Sequence, residues 1–329
     1  MSTNKPIRRV AIIGTGVIGA SWTALYLAKG LDVVATDIAP NAEAALKRFV
    51  EAAWPALKRL GLAPGASQSR LTFTPDLPAA VKNTDLVQEN GPERIDFKQK
   101  LYGQLDELLP PDVIIASSSS GLTMSEIQKG CASHPERCVI GHPFNPPHLV
   151  PLVEIVGGAK TSEATIQRAI EFYEGLGKQA VRLRKEVPGH VANRLQAALA
   201  REVYYLVAED VVSVADVDKA LSWGPGLRWG IMGQVLLNHL GGGQGGIEHF
   251  FAQFTKPMTA WWKTLGSPEL TPEVQRKLID GLHAEVGSRS ISELEAERDD
   301  ILMGLLELRS QYQKPTATSL RTARAGSPR

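Results

Sequence analysis

Short apolar runs punctuate the first half of the chain, each separated from the next by a stretch with helical character. The runs cover residues 9–13, 31–36, 85–87, 113–116, 139–141 and 152–156, and the first helical stretch, 17–29, closes at Gly30. Nearly continuous Val and Ile, without polar alternation, predict strands buried on both faces, the pattern of a parallel sheet covered by helices on each side. The expectation is an α/β, Rossmann-type doubly wound sheet. A longer helical stretch, 42–60, follows the second run as an insertion. Pro55 is expected to break it or start a second helix, and Gly61 and the polar loop 64–69 end it.

Beyond Pro188 the strand pattern stops. Apolar residues recur at helical spacing over 191–208. Residues 221–246 are rich in Gly and Trp and predict turns and short helices. Thr271-Pro272 supplies an N-cap and a first helical position. Ser290 with Glu293 forms a capping box ahead of a last helix, 291–308. An all-α C-terminal domain is therefore expected at 187–308, after the doubly wound Rossmann-type domain at 1–186. Residues 310–329 hold no acid and four basic residues, Lys314, Arg321, Arg324 and Arg329, so 309–329 is expected to be a disordered tail.

Composition narrows the class. The 329 residues carry 36 Lys and Arg against 35 Asp and Glu, a net charge of +1, which leaves no electrostatic footprint for nucleic acid. No apolar run reaches the roughly 18 residues of a membrane span, and the start has no signal-peptide core. The two cysteines, Cys131 and Cys138, lack ligand partners at metal spacing and predict two ordinary thiols in a reducing compartment. A cytoplasmic protein without a metal is expected.

Gly14-Thr15-Gly16-Val17-Ile18-Gly19 matches G-x-G-x-x-G, and it follows a predicted strand and opens a predicted helix. The first glycine permits the tight turn, the second lets backbone approach a pyrophosphate, and the third lets helix and strand pack closely. The helix N-terminus offers free N–H groups to the phosphates. Asp37 ends the second run, 23 residues after Gly14. An acid there accepts from ribose hydroxyls and repels a 2′-phosphate, so NAD is expected rather than NADP.

His142 stands in Gly141-His142-Pro143-Phe144-Asn145-Pro146-Pro147, at the carboxyl end of a predicted strand, where doubly wound sheets place their ligands. Glu154 lies on the next apolar run, where a carboxylate needs a partner. A carboxylate beside an imidazole fixes its tautomer and stabilises its charged form, which suits a general base. The plainer alternative is a structural histidine.

Taken together, G-x-G-x-x-G, the acid at 37, H-x-F-N-P with a downstream glutamate, and P-G-x-x-x-N-R at 188–194 resemble the L-3-hydroxyacyl-CoA dehydrogenase superfamily, to about residue 308. The resemblance implies His142 as catalytic base and Glu154 as its partner. It implies Ser120, in the run 117–120, on the substrate oxygen, and Asn193 at the carbonyl. Glu93 and Lys98 match positions beside the nicotinamide end of NAD. On the residues alone, Ser120 is also readable as a turn serine and Asn193 as a helix cap; both are short polar groups suited to a developing alkoxide.

Two segments depart from the acyl-CoA members. S-S-S-S-G-L stands in place of S-N-T-S-S-L, and H-P-F-N-P-P in place of H-F-F-N-P; the 42–60 helix also lacks a dense lysine face for CoA phosphates. These features are more similar to the branch acting on small free hydroxy acids, which holds L-carnitine and L-gulonate 3-dehydrogenases. The segments 224–229 and 241–246 and Arg298-Asp299-Asp300 resemble the carnitine members most, while 261–265 departs from their P-W-T-K-L. The expected reaction is NAD-dependent oxidation of a small L-3-hydroxy acid, L-carnitine first, with a 3-hydroxyacyl-CoA or L-gulonate as the alternatives. A crystallin-like role without catalysis is opposed by His142, Glu154, Ser120 and Asn193 together. A quaternary ammonium needs aromatic faces; Phe144 and Trp229 are candidates, with Arg228 for a carboxylate. Core, dimer or capping duties are the alternatives for these three. A homodimer is implied by resemblance.

Overall fold

The computed structural model describes residues 5–312. The chain divides into two compact units between Arg194 and Leu195.

In the first unit, β1 (Arg9–Ile13), β2 (Asp32–Thr36), β3 (Leu71–Phe73), β4 (Leu86–Glu89), β5 (Ile114–Ser117), β6 (Cys138–Pro143), β7 (Leu152–Gly157) and β8 (Gln179–Arg182) form one sheet. Its order is β3-β2-β1-β4-β5-β6-β7-β8. Helices α1 (Val17–Ala28), α2 (Ala42–Leu60) and α6 (Glu163–Gly175) cover one face, and α3 (Leu77–Val81), α4 (Ile95–Leu108) and α5 (Met124–Ile127) cover the other. The double cover explains why the strands read as unbroken apolar runs: Val10 and Ile12 enter one core while Ala11 and Ile13 enter the other. Strand order reverses between β1 and β4, so their carboxyl ends open a crevice at the switch point.

Three features differ from the sequence reading. First, β7 runs antiparallel to β6. Only residues 144–151 join the two strands, too few for a parallel crossover. Second, β3 and β8 are edge strands, short and half exposed, and so lack an apolar run. Third, α2 continues unbroken through Pro55. Its buried stripe of Leu46, Val50, Ala53 and Leu57 shares a core with α1, and that packing holds the helix together across the missing N–H.

The second unit is helical. After α7 (Ala192–Ala208), which begins in the first unit, come α8 (Val214–Trp223), α9 (Pro225–Trp229), α10 (Gln234–Gly241), α11 (Gly246–Trp262), α12 (Pro272–Val286) and α13 (Ile291–Tyr312). Both expected caps form. Thr271 Oγ1 accepts the Val274 N–H at 3.3 Å. Ser290 Oγ accepts the Glu293 N–H at 3.3 Å while Glu293 accepts the Ser290 N–H at 2.7 Å. The last helix extends to Tyr312, beyond its expected end at 308. The rest of the expected tail lies outside the described residues. No described helix is long and apolar enough to cross a membrane.

Candidate active site

The glycine loop sits at the switch point. Gly14 has φ +84°, and a Cβ there would stand 2.7 Å from the Asn90 carbonyl oxygen. A Cβ on Gly19 would stand 1.9 Å from the Gly14 carbonyl oxygen, so the third glycine is what lets α1 approach the loop. A Cβ on Gly16 would meet nothing within 4 Å. Gly16 is also the N-cap of α1, has no side-chain cap, and is followed by no acid in the first turn. Open space before an uncapped helix N-terminus fits a pyrophosphate. Val17 and Ile18 open that helix.

Asp37 is tied to the loop. Its Oδ2 accepts the Thr15 N–H at 2.6 Å and the Thr15 hydroxyl at 3.0 Å, and its Oδ1 accepts the Ala39 N–H at 2.9 Å. Burial pushes this carboxyl up, but the Thr15 and Ala39 bonds outweigh it and hold it below the ordinary carboxylate range. A charged, half-buried acid therefore flanks a cleft of about 890 Å³ lined by Gly14, Gly16, Asp37, Leu77, Asn90 and Phe97. Nearby Ile38 and Ala39 supply no cation for a 2′-phosphate. The residues present fit NAD.

The serine run is sorted by position. Ser117 Oγ donates to Glu89 at 2.6 Å, Ser118 Oγ to Asn90 at 2.7 Å and Ser119 Oγ to Glu93 at 2.6 Å, while Ser120 is exposed. The same Glu93 oxygen accepts the N–H groups of Ser120, Gly121 and Leu122 at 3.0, 2.7 and 3.2 Å. Burial raises the Glu93 carboxyl, yet Ser119, Gly121 and the Lys98 charge bring it below its ordinary value. Lys98 is buried and donates to both oxygens of Glu89 at 2.8 and 2.9 Å, with Glu93 at 3.7 Å. Glu93 and Lys98 are thus neighbours. Glu89, which the sequence reading passed over, is the carboxylate that balances Lys98; an acid inside the buried strand β4 was the signal.

His142 and Glu154 face each other across β6 and β7, directly paired in register. His142 Nδ1 lies 2.8 Å from Glu154 Oε2, and both side chains are buried. The carboxylate can only accept, so Nδ1 carries a proton, and in the neutral ring Nε2 is left with the lone pair. The other Glu154 oxygen accepts the Val191 and Ala192 N–H groups at 2.8 and 3.0 Å, at the N-terminus of α7. Burial raises the Glu154 carboxyl, but His142 and the two N–H donors outweigh it and hold it below its ordinary value. Asn193 follows on that first turn.

The loop between the two strands is anchored beneath. Lys178 Nζ donates to the Pro147 and Val150 carbonyls at 2.7 and 2.6 Å and sits 5.0 Å from the Trp22 ring centroid. Ser21 Oγ accepts the His148 N–H at 2.9 Å. Phe144 is half-buried on this loop. Arg228 and Trp229 lie on α9 in the second unit, where Trp229 Nε1 donates to Gln234 at 2.5 Å.

Known proteins share this arrangement of sequence. Residues 9–187 match the NAD binding domain of 3-hydroxyacyl-CoA dehydrogenase, and residues 189–282 match its C-terminal domain. The chain is 48% identical over 299 residues to an L-carnitine dehydrogenase of Streptomyces coelicolor, covering 91% of this chain and 94% of that one. It is 47% identical over 306 residues to an L-carnitine dehydrogenase of Pseudomonas aeruginosa, covering 93% and 95%. A solved 5-formyl-3-hydroxy-2-methylpyridine 4-carboxylic acid 5-dehydrogenase, described as an NAD+ dependent dismutase, matches at 32% identity and a TM-score of 0.78, over 92% of this chain and 98% of that one.

Proposed function

The chain belongs to the 3-hydroxyacyl-CoA dehydrogenase family, and from that premise we propose that it oxidises the 3-hydroxyl of L-carnitine to the 3-oxo acid. It is an NAD-dependent oxidoreductase acting on a CH–OH group. The observation that carries its chemistry is the 2.8 Å pairing of His142 with Glu154 at the carboxyl edge of the sheet. The choice of L-carnitine draws its support from relatives at 43–48% identity that bear that name and span nearly the whole chain.

In this reading His142 Nε2 takes the hydroxyl proton, and the Glu154 carboxylate stabilises the resulting imidazolium. Ser120 and Asn193 hydrogen-bond the substrate oxygen as negative charge develops. Gly14, Gly16, Val17, Ile18, Gly19 and Asp37 hold the pyrophosphate and ribose of NAD, with Glu93 and Lys98 toward the nicotinamide. NAD, when bound, supplies the hydride acceptor. Phe144, Arg228 and Trp229 stay candidates for the substrate on side-chain chemistry alone: aromatic faces suit a quaternary ammonium, and a guanidinium suits a carboxylate.

A cytoplasmic homodimer completes the proposal. Free Cys131 and Cys138 suit a reducing compartment. The second unit leaves Trp223, Trp261 and Trp262 exposed, as expected of a face that pairs with another copy. Light scattering should give about twice 35.6 kDa.

The test is NADH formation by purified protein with NAD and, in parallel, L-carnitine, L-gulonate or L-3-hydroxybutyryl-CoA. Turnover of L-carnitine, lost in His142→Ala, is the expected result. Turnover of the CoA ester alone would replace the substrate while leaving the base in place.

A further inference from the structure

His190 is the second histidine of this centre, and neither the general-base pair nor the cofactor site accounts for it. It is only 1% exposed. Its ring lies 5.1 Å from the His142 ring, centroid to centroid, with the planes tilted by 50°. Its Nε2 is 2.9 Å from the Ser119 carbonyl oxygen. A carbonyl only accepts, so Nε2 bears the proton. Nδ1 of the neutral ring is then a buried acceptor with no hydrogen-bond partner among the described residues. The residue also has φ +50°, uncommon outside glycine although histidine is among the side chains found there. An unpaired buried acceptor is costly, and so is a left-handed backbone at a residue that carries a side chain. A phenylalanine would fill the same space without the first of these penalties. Two local penalties at one residue, against the base, direct attention to its one strong bond.

That bond closes a frame. The Ser119 carbonyl and the Ser120 N–H belong to one peptide unit. Glu93 grips the N–H at 3.0 Å, and His190 grips the oxygen at 2.9 Å. With both ends held, the peptide plane cannot rotate, and the direction in which Ser120 leaves the chain is set. The residues after His190 donate N–H groups to Glu154, the partner of His142.

We propose that His190 is a positioning residue: its Nε2–H bond to the Ser119 carbonyl sets Ser120, and its ring sets His142, so that hydroxyl and base keep one fixed relation. The inference rests on the reading of His142 as the base. Burial lowers the His190 pKa and outweighs the Ser119 carbonyl bond that raises it; the neighbouring His142 lowers it further, against smaller opposing pulls from Glu154 and Glu93, and the net direction favours the uncharged ring.

Three variants of the full chain test it: His190→Phe, His190→Asn and His190→Gln. Phenylalanine keeps the ring and loses the donor. Asparagine tolerates the positive φ but is too short to reach the carbonyl. Glutamine can present an amide N–H to the same oxygen. The Phe and Asn variants should lose about 10- to 100-fold in kcat, with KM for NAD unchanged, and the Gln variant should recover most of it. Wild-type kcat in the Asn variant, or equal loss in all three, overturns the proposal. Imidazole ¹⁵N NMR of the wild type gives a readout independent of turnover. His190 should appear as the Nε2–H tautomer and should titrate below the ordinary histidine value. An Nδ1–H or charged ring overturns the inference whatever the substrate proves to be. Failure of L-carnitine turnover with the expected spectrum sinks only the substrate assignment.

Discussion

The two units resolve opposite problems of burial. The first encloses charge: Glu89, Lys98, His142, Glu154, Lys178 and His190 are all buried, and each has at least one hydrogen-bond partner within that unit. The second leaves apolar surface open: Trp223, Leu236, Phe251, Trp261 and Trp262 are all at least half exposed. Burying charge is costly unless geometry and partners are supplied. A unit that supplies them internally has its reactive groups preorganised before any ligand arrives. A unit with uncovered tryptophans has a surface whose natural complement is another apolar face. Enclosed charge and open apolar surface thus fall in different parts of the chain, and substitutions should separate their effects.

The largest effect is expected at His142, the proposed base. His142→Ala should lower kcat roughly 10²- to 10⁴-fold while NAD binding, read by fluorescence, stays as in the wild type. A variant retaining wild-type kcat would break the comparison, since the first unit would then not hold the chemistry.

Glu154→Gln keeps the shape and removes the charge, and kcat should fall roughly 10²-fold. It also has a pH signature. The folded carboxyl lies below its ordinary 4.5. It therefore stabilises the fold above that value and loses the contribution as pH falls through the folded value. Melting temperature below pH 4.5 should drop more steeply in the wild type than in the variant.

Lys178→Met strips the loop anchor and leaves two carbonyls unpaired, at a cost of about 1–3 kcal/mol each. Burial pushes the Lys178 ammonium down to about 7 from 10.5. Between those values the unfolded chain binds more protons, so this residue makes wild-type stability rise with pH across that window. The variant should lack that slope in a series of thermal melts.

The smallest effect belongs to the second unit. Ser290→Ala should cost about 1 kcal/mol through its cap, seen in the melting temperature, with kcat unchanged. A fall in kcat there would show that the division of labour is not clean.

Much of this contrast could be read along the chain. His142 and Glu154 were visible because a strand-end histidine and an acid in the next apolar run each demanded explanation. The antiparallel turn between them was not read, although the brevity of 144–151 contains it. Ser120 could be singled out from its three identical neighbours only by resemblance, because which serine faces outward depends on where β5 ends. Glu89 and Lys178 escaped notice since their partners come from distant elements, which spacing does not report. His190 escaped for a different reason: its value lies in a backbone carbonyl 71 residues away. In the second unit, the caps at Thr271 and Ser290 were legible because they are local, obeying rules three residues long.

Glu93 has a consequence for discrimination. Successive N–H groups at Ser120, Gly121 and Leu122 make a donor turn of the sort that captures phosphate or carboxylate ions. Here the turn arrives with its anion already installed, covalently part of the chain. A free acid diffusing into the crevice meets donors that are taken and a like charge behind them. An anion is thereby disfavoured at the Ser120 loop, whereas an uncharged hydroxyl is not.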